Sequence, residues 1–218
     1  MAAVALATVL AAAVPSQGLA RRTGPRDDRG FPRFYTDNSG LRLQMCDDGT
    51  FKCNGTRAGD LVAPEGEAFY WAAVATIHSK RGPLFVEFAL EAAFSDAGRP
   101  IVFDRTRIRG HLNRKGTYIL GHPYGRNTFR AITPKEQRNV DITQDRMCRL
   151  NRKGGCPNGQ IGRFLRAKQP PAGYVGAGAR LVRVTGGRFR NSLVLRTGHG
   201  KVIGRTSTFE IIGKRLRK

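Results

Sequence analysis

Apolar residues recur at every second position in short runs along the chain, and the runs are separated by clusters of Gly, Pro and charged residues. Alternate side chains of an extended strand share one face, so this period predicts strands with one side against a core. Phe69 to Ile77 and Leu84 to Phe94 are rich enough in aromatic and β-branched residues to be strands, although the Ala and Glu content of the second leaves a helix open. Gly98-Arg99-Pro100 breaks the pattern. Ile101 to Arg109 and Tyr118 to Leu120 resume it, and Gly121-His122-Pro123-Tyr124-Gly125 reads as a tight turn before Asn127 to Ile132. Shorter strands are predicted at Arg180 to Val184, Ser192 to Leu195, Lys201 to Ile203 and Ser207 to Ile212, with Gly-rich turns between them.

The predicted fold class is therefore all-β, an immunoglobulin-like β-sandwich over residues 34–145 with a smaller C-terminal β unit over residues 146–218. The sandwich type rests on Leu112-Asn113-Arg114-Lys115-Gly116-Thr117-Tyr118. This segment is similar to the corner of immunoglobulin-like sandwiches in which a Tyr hydroxyl bonds back to upstream backbone. Tyr118 is the candidate, with Leu112 packed beneath it, and Trp71 is expected to fill the sandwich core. About sixty residues bury only a limited core, so the C-terminal unit is expected to pack on the first.

Ahead of the strands, Ala2 to Val14 is an unbroken run of small and apolar residues ended by Pro15, with Ala20 just before Arg21. It reads as the apolar core and cleavage region of a signal peptide spanning residues 1–20. The run is too short and too Ala-rich for a stable membrane anchor, which takes about 20 strongly apolar residues. Residues 21–33, dominated by Gly, Pro and Arg, read as a flexible arm.

The four cysteines fall into two local pairs, Cys46 with Cys53 and Cys148 with Cys156, each spanning turn-forming residues. Of the three connectivities that four cysteines allow, two local disulfides are expected, each contributing about 2.5 kcal/mol by loop closure. The spacings are wider than the gaps between thiolates in zinc sites. Disulfides require an oxidising compartment, which agrees with an exported protein.

Charge changes the picture most. The chain carries a net +22, and residues 146–218 hold eighteen Lys and Arg against a single acid, Glu210, a net +17 in that third alone. Such an excess suits a partner rich in phosphate or carboxylate. Arg105, Arg107 and Arg109 alternate along a predicted strand, which places three planar donors on one face about 6.7 Å apart. Arg188 and Arg190 repeat the spacing around Phe189. With Arg183, Arg196 and a mobile tail of Lys214, Arg215, Arg217 and Lys218, these are the candidate polyanion-binding residues.

No catalytic signature accompanies them: there is no Gly-x-Ser-x-Gly elbow, no His-Glu-x-x-His and no phosphate loop ending in Gly-Lys-Ser or Gly-Lys-Thr. His78, His111, His122 and His199 are scattered, with His122 expected to be structural. Asp47-Asp48-Gly49 lacks the alternating oxygens of a calcium loop and reads as a turn. Neither catalytic residues, a metal nor a cofactor is expected.

At Glu67-Ala68-Phe69-Tyr70-Trp71, Arg107-Ile108-Arg109, Gly116-Thr117-Tyr118, His122-Pro123-Tyr124-Gly125 and Pro171-Ala172-Gly173-Tyr174-Val175-Gly176, the chain resembles a group of uncharacterised secreted bacterial proteins frequent in actinobacteria. The likeness runs over most of residues 31 to 213. It implies an extracytoplasmic, β-rich protein and no catalytic residues, and this chain is far more basic than the group. The expected function is that of an exported, non-enzymatic protein binding an anionic cell-wall polymer or acidic polysaccharide through its basic C-terminal region. Nucleic acid is the alternative partner, and a structural surface-layer or fibre protein the alternative class.

Overall fold

Strands form wherever the sequence alternates, and in several places where its alternation is written in charges instead of apolar residues. The computed structural model describes residues 23–55, 66–132, 138–151 and 154–216. The expected signal peptide lies outside these residues. In chain order the strands are β1 (Tyr35–Thr36), β2 (Arg42–Gln44), β3 (Glu67–Ser79), β4 (Gly82–Phe94), β5 (Pro100–Gly110), β6 (Gly116–His122) and β7 (Gly125–Ala131). They continue with β8 (Val140–Met147), β9 (Arg166–Ala167), β10 (Gly178–Thr185), β11 (Leu193–Thr197), β12 (Val202–Thr206) and β13 (Thr208–Arg215). The fold is all-β, as predicted, and Leu84 to Phe94 is a strand.

Two antiparallel sheets enclose one core. The larger runs β1-β2-β13-β3-β4-β5-β8, with β10 and β9 attached beside β13, and the smaller runs β12-β11-β6-β7. One hydrophobic cluster joins them, with Trp71, Ile77 and Phe88 from the large sheet against Tyr118, Leu120, Leu193 and Leu195 from the small one. Trp71 lies in this core as expected. Its Nε1 donates to the Leu165 carbonyl at 2.9 Å, which satisfies the one polar atom that burial would otherwise orphan.

Three expectations change. The division at residue 145 is not followed by strand pairing. β13 is seated between β2 and β3, and β11 pairs with β6, so strands of residues 146–218 complete both sheets instead of forming a unit of their own. An isolated sixty-residue unit would have had little core, and interleaving solves that problem. Within the expected flexible arm, residues 23–33 form an ordered turn. Asp27 accepts hydrogen bonds from the Phe31 amide and the Arg29 side chain, and the buried Phe31 ring meets Phe94 at 5.1 Å. The third change is β8, which alternates Asp141, Thr143 and Asp145 with Val140 and Ile142 and was not recognised as a strand.

Both local disulfides form, Cys46–Cys53 and Cys148–Cys156, with no free cysteine among the described residues. The Tyr118 hydroxyl donates to the Arg114 carbonyl four residues upstream, and Leu112 is fully buried in the same core cluster. That bond ties the β5–β6 connection to the small sheet.

Candidate anion-binding surface

Each sheet turns one face to the shared core; the second face is open on the small sheet and largely buried on the large one, where Ala72, Ala89 and Ile212 form a small cluster of their own, and the two carry opposite charge arrangements. On the large sheet, register sets Arg107 opposite Glu87, Arg105 opposite Asp145, and Arg109 opposite Asp141. Opposite charges directly across a strand pair attract, and here they close into a network. Arg105 grips Asp145 with Nε and Nη2, both at 2.8 Å, while its Nη1 reaches Glu91 at 2.7 Å and Glu67 at 3.2 Å. Arg107 Nη1 donates to Glu87 at 3.1 Å, and Arg109 shares Asp141 with Arg138.

The ladder predicted from residues 105, 107 and 109 therefore exists as geometry, but its donors are spent on neighbouring carboxylates. Arg105 is buried, so it has no surface to offer a ligand. The sequence reading missed this because the acids come from β3, β4 and β8, between 14 and 40 residues away. Glu91 is fully buried. Burial, reinforced by the Glu67 charge, pushes its carboxyl up to about 9 against the pull of Arg105, so it is protonated at neutral pH.

The small sheet is the reverse. No Asp or Glu occurs from residue 105 to 135 or from 146 to 209, and all four of its strands fall within those two stretches. Tyr118, Leu120, Leu193, Leu195, Phe129 and Ala131 point into the core, so the alternate positions face out. These carry Arg126 and Arg130 on β7, Arg196 on β11 and Arg205 on β12. Register aligns Arg205, Val194, Gly121 and Arg126 in one row across all four strands. The outer two cations are thus about 14 Å apart across the sheet, and Arg126 and Arg130 about 13 Å apart along it.

Gly121 has a specific role in that row. A Cβ there would lie 2.9 Å from Arg190 Nη1 and 3.1 Å from its Cζ, so the missing side chain lets the Arg190 guanidinium lie flat on the sheet. None of Arg126, Arg130, Arg190, Arg196 or Arg205 makes an ion pair among the described residues. The result is a fixed cationic face with its counter-charges left to solvent or a ligand.

The other predicted residues divide between the two situations. Arg188, Arg190 and Arg196 belong to the cationic side, Arg188 stacking over the exposed Phe189 ring at 4.9 Å. Arg183 is exposed on β10, on the large sheet. Lys214 and Arg215 are not a mobile tail but the end of β13, Lys214 paired to Asp48 at 2.9 Å and Arg215 donating to the Tyr174 carbonyl. Arg217 and Lys218 lie outside the described residues. Arg126, Arg130 and Arg205 were missed. The absence of nearby acids is the signal that would have found them.

His122 is buried, stacked on Phe88 at 5.0 Å, and burial pushes its imidazole down to about 4, so it is a neutral packing residue. The Asp48 carboxylate accepts from the Thr50 amide two residues on and from the Tyr174 hydroxyl, and pairs with Lys214. Among the described residues, no three His, Cys, Asp or Glu side chains gather as metal ligands would. No protein-family model, curated protein or solved structure matches the chain, so its chemistry is read from its own residues.

Proposed function

We propose that this is an exported, non-enzymatic protein that binds an anionic cell-surface polymer, of teichoic or acidic-polysaccharide type, on the outward face of its small sheet. The observation that carries the reading is the segregation of charge. The arginines of β5, on the large sheet, are neutralised in place, whereas those on β7, β11 and β12 and in the Arg188–Arg190 loop have no acid among them. A solvated basic surface needs no such sorting. Exposed contacts to anions contribute only about 0.2 to 1 kcal/mol each, so an extended face suits a polymer that engages several cations at once better than a single small anion.

Export is supported by the two disulfides and by the apolar run at Ala2 to Val14, and no helix among the described residues is long and apolar enough to cross a membrane. An oxidising compartment favours a surface polymer over the chromosome. Nucleic acid is the second reading. Among the described residues, Phe189 is the one exposed large hydrophobic ring on the cationic side available to stack on a base, which is sparse for single strands.

The test is binding of the disulfide-intact protein to purified wall polymer, to duplex DNA and to a neutral polysaccharide across a salt series. The reading expects retention on wall polymer that falls steeply with salt, and none on the neutral polymer. Tighter binding to DNA at equal charge would transfer the function to nucleic acid, and no salt-dependent binding to either would remove it.

A further inference from the structure

At one end of the small sheet lies a cleft of about 570 Å³ whose charged wall residues are all basic. Arg81 lines it from the β3–β4 turn, Arg114 and Lys115 from the β5–β6 connection, and His199 and Lys201 from the β11–β12 hairpin, with Thr117 of β6 between them in the lining. Three connections far apart in sequence converge, and each is held by its own backbone bonds. The Asn113 amide donates to the Arg81 carbonyl at 2.8 Å, and Gly82 next to it has φ +114, in the region that favours glycine. A Cβ at Gly82 would also run into the His111 carbonyl. The hairpin tip is pinned by the Gly198 amide on the Thr117 carbonyl at 2.7 Å and by the Thr197 amide on the Lys201 carbonyl at 2.9 Å.

Tyr118 does the positioning beneath. Its hydroxyl accepts from Arg81 Nη1 at 3.1 Å and donates to the Arg114 carbonyl, and the Arg81 guanidinium lies 5.6 Å from its ring centre. The residue expected to pin a corner thus also fixes one cation of the cleft and the backbone of another. None of Arg81, Arg114, Lys115 or Lys201 forms an ion pair among the described residues.

From this we infer that the cleft is a subsite for a sugar or polyol phosphomonoester, the phosphorylated end unit of the polymer bound by the adjacent face. The inference rests on the polymer-binding reading and adds a ligand class to it. A volume near 570 Å³ falls in the range of small-molecule sites, larger than a bare phosphate needs and suited to a phosphate with a sugar attached. Four cations lining one cleft favour a dianion, whereas the spaced arginines of the sheet favour charges strung along a chain. Tyr118, beneath the cleft, is buried and covered by Arg81, and His199 is the one ring in the wall among the described residues, set beside four cations, so the phosphate supplies most of the recognition.

The experiment is calorimetric titration of the disulfide-intact protein with glucose 6-phosphate, using dimethyl phosphate and glucose as controls. Expected is 1:1 binding of glucose 6-phosphate, about tenfold or more tighter than the singly charged diester, and none of glucose. Lys115→Gln with Lys201→Gln, both exposed positions, should weaken that binding by about tenfold while thermal melting is unchanged. Arg126→Gln with Arg130→Gln should leave it intact and instead lower retention on wall polymer. Equal affinity for ester and diester, or glucose 6-phosphate binding indifferent to the two lysines, overturns the subsite while leaving polymer binding by the face untouched. Conversely, lysine-dependent glucose 6-phosphate binding without any polymer retention would sink the polymer reading and keep the cleft.

Discussion

Arg126→Gln with Arg130→Gln, set against Arg109→Gln with Arg138→Gln, separates a charged face from mere net charge. Each pair removes two positive charges at exposed sites, so the overall charge falls from +22 to +20 in both. The first pair lies on the acid-free small sheet and the second shares Asp141, on the edge strand of the large one. Two lost contacts at about 0.2 to 1 kcal/mol each amount to roughly 0.5 to 2 kcal/mol, or about a two- to thirtyfold weaker Kd. The salt slope should fall by up to about two, if the polymer's charge density approaches that of a duplex. Ionic strength decides whether the comparison is clean. At 0.01 M the Debye length is about 30 Å and charge on either sheet is felt everywhere. At 0.15 M it is about 8 Å, less than the roughly 10 Å between packed sheets. Kd on immobilised wall polymer, measured at 0.15 M, should therefore respond to the Arg126 and Arg130 pair and hardly to the other. Equal losses from both pairs would refute a localised face, and a larger loss from Arg109 and Arg138 would return the site to the large sheet.

Glu91→Gln should leave stability unchanged below about pH 4 and increase it progressively toward pH 9. A carboxyl whose folded pKa is raised by burial binds its proton on folding, and stability drains away as pH climbs from its unfolded value toward about 9. The slope is at most about 1.4 kcal/mol per pH unit; urea melts would disprove it if the variant were less stable at every pH, the mark of an ionised Glu91 paired with Arg105. Burial alone would raise the Asp48 carboxyl, but bonds from Lys214, Thr50 and Tyr174 outweigh it and hold the group below its ordinary range. Stability from this cluster is present in full above about pH 3.9 and lost as pH falls through the depressed folded value, so Lys214→Gln should cost about 0.5 to 1 kcal/mol at pH 7 and nearly as much at pH 3, where the folded carboxylate is still ionised; a cost that vanished by pH 3 in the same melts would mean that Asp48 is not held below its ordinary range. Replacing both Cys148 and Cys156 by Ser should cost about 2.5 kcal/mol; a change under 0.5 kcal/mol would mean that the loop is already ordered without its bridge.

The neutral ladder and the cationic face show which parts of this protein could be read from the chain. The period-two runs from Phe69 to Arg109 became β3, β4 and β5, the Gly98 turn fell where expected, and the cysteine spacing gave the right bridges, because each depends on neighbours a few residues apart. A turn follows Gly121 as expected but is confined to Pro123-Tyr124, with Gly121 and His122 still in β6. β8 escaped notice since its outward positions are acids chosen to meet the arginines of β5, a pattern invisible until the two strands are paired. The Arg105–Arg107–Arg109 alternation was visible, but its meaning was not. Spacing along a strand says that three guanidinium groups share a face and nothing about what lies opposite.

By itself the sequence determined strand character, the disulfides, and an excess of positive charge with two long stretches free of acid. Tertiary structure alone decided that those stretches, residues 105–135 and 146–209, contribute to the same sheet, so that Arg126 and Arg130 join Arg196 and Arg205 although some seventy residues separate them. It also decided that β13 completes the large sheet, which made the basic C-terminal third an integral part of the fold. The physical reason is that local propensity sets the backbone of each segment, whereas which charges meet depends on register and sheet order, and these are fixed by burying one shared core.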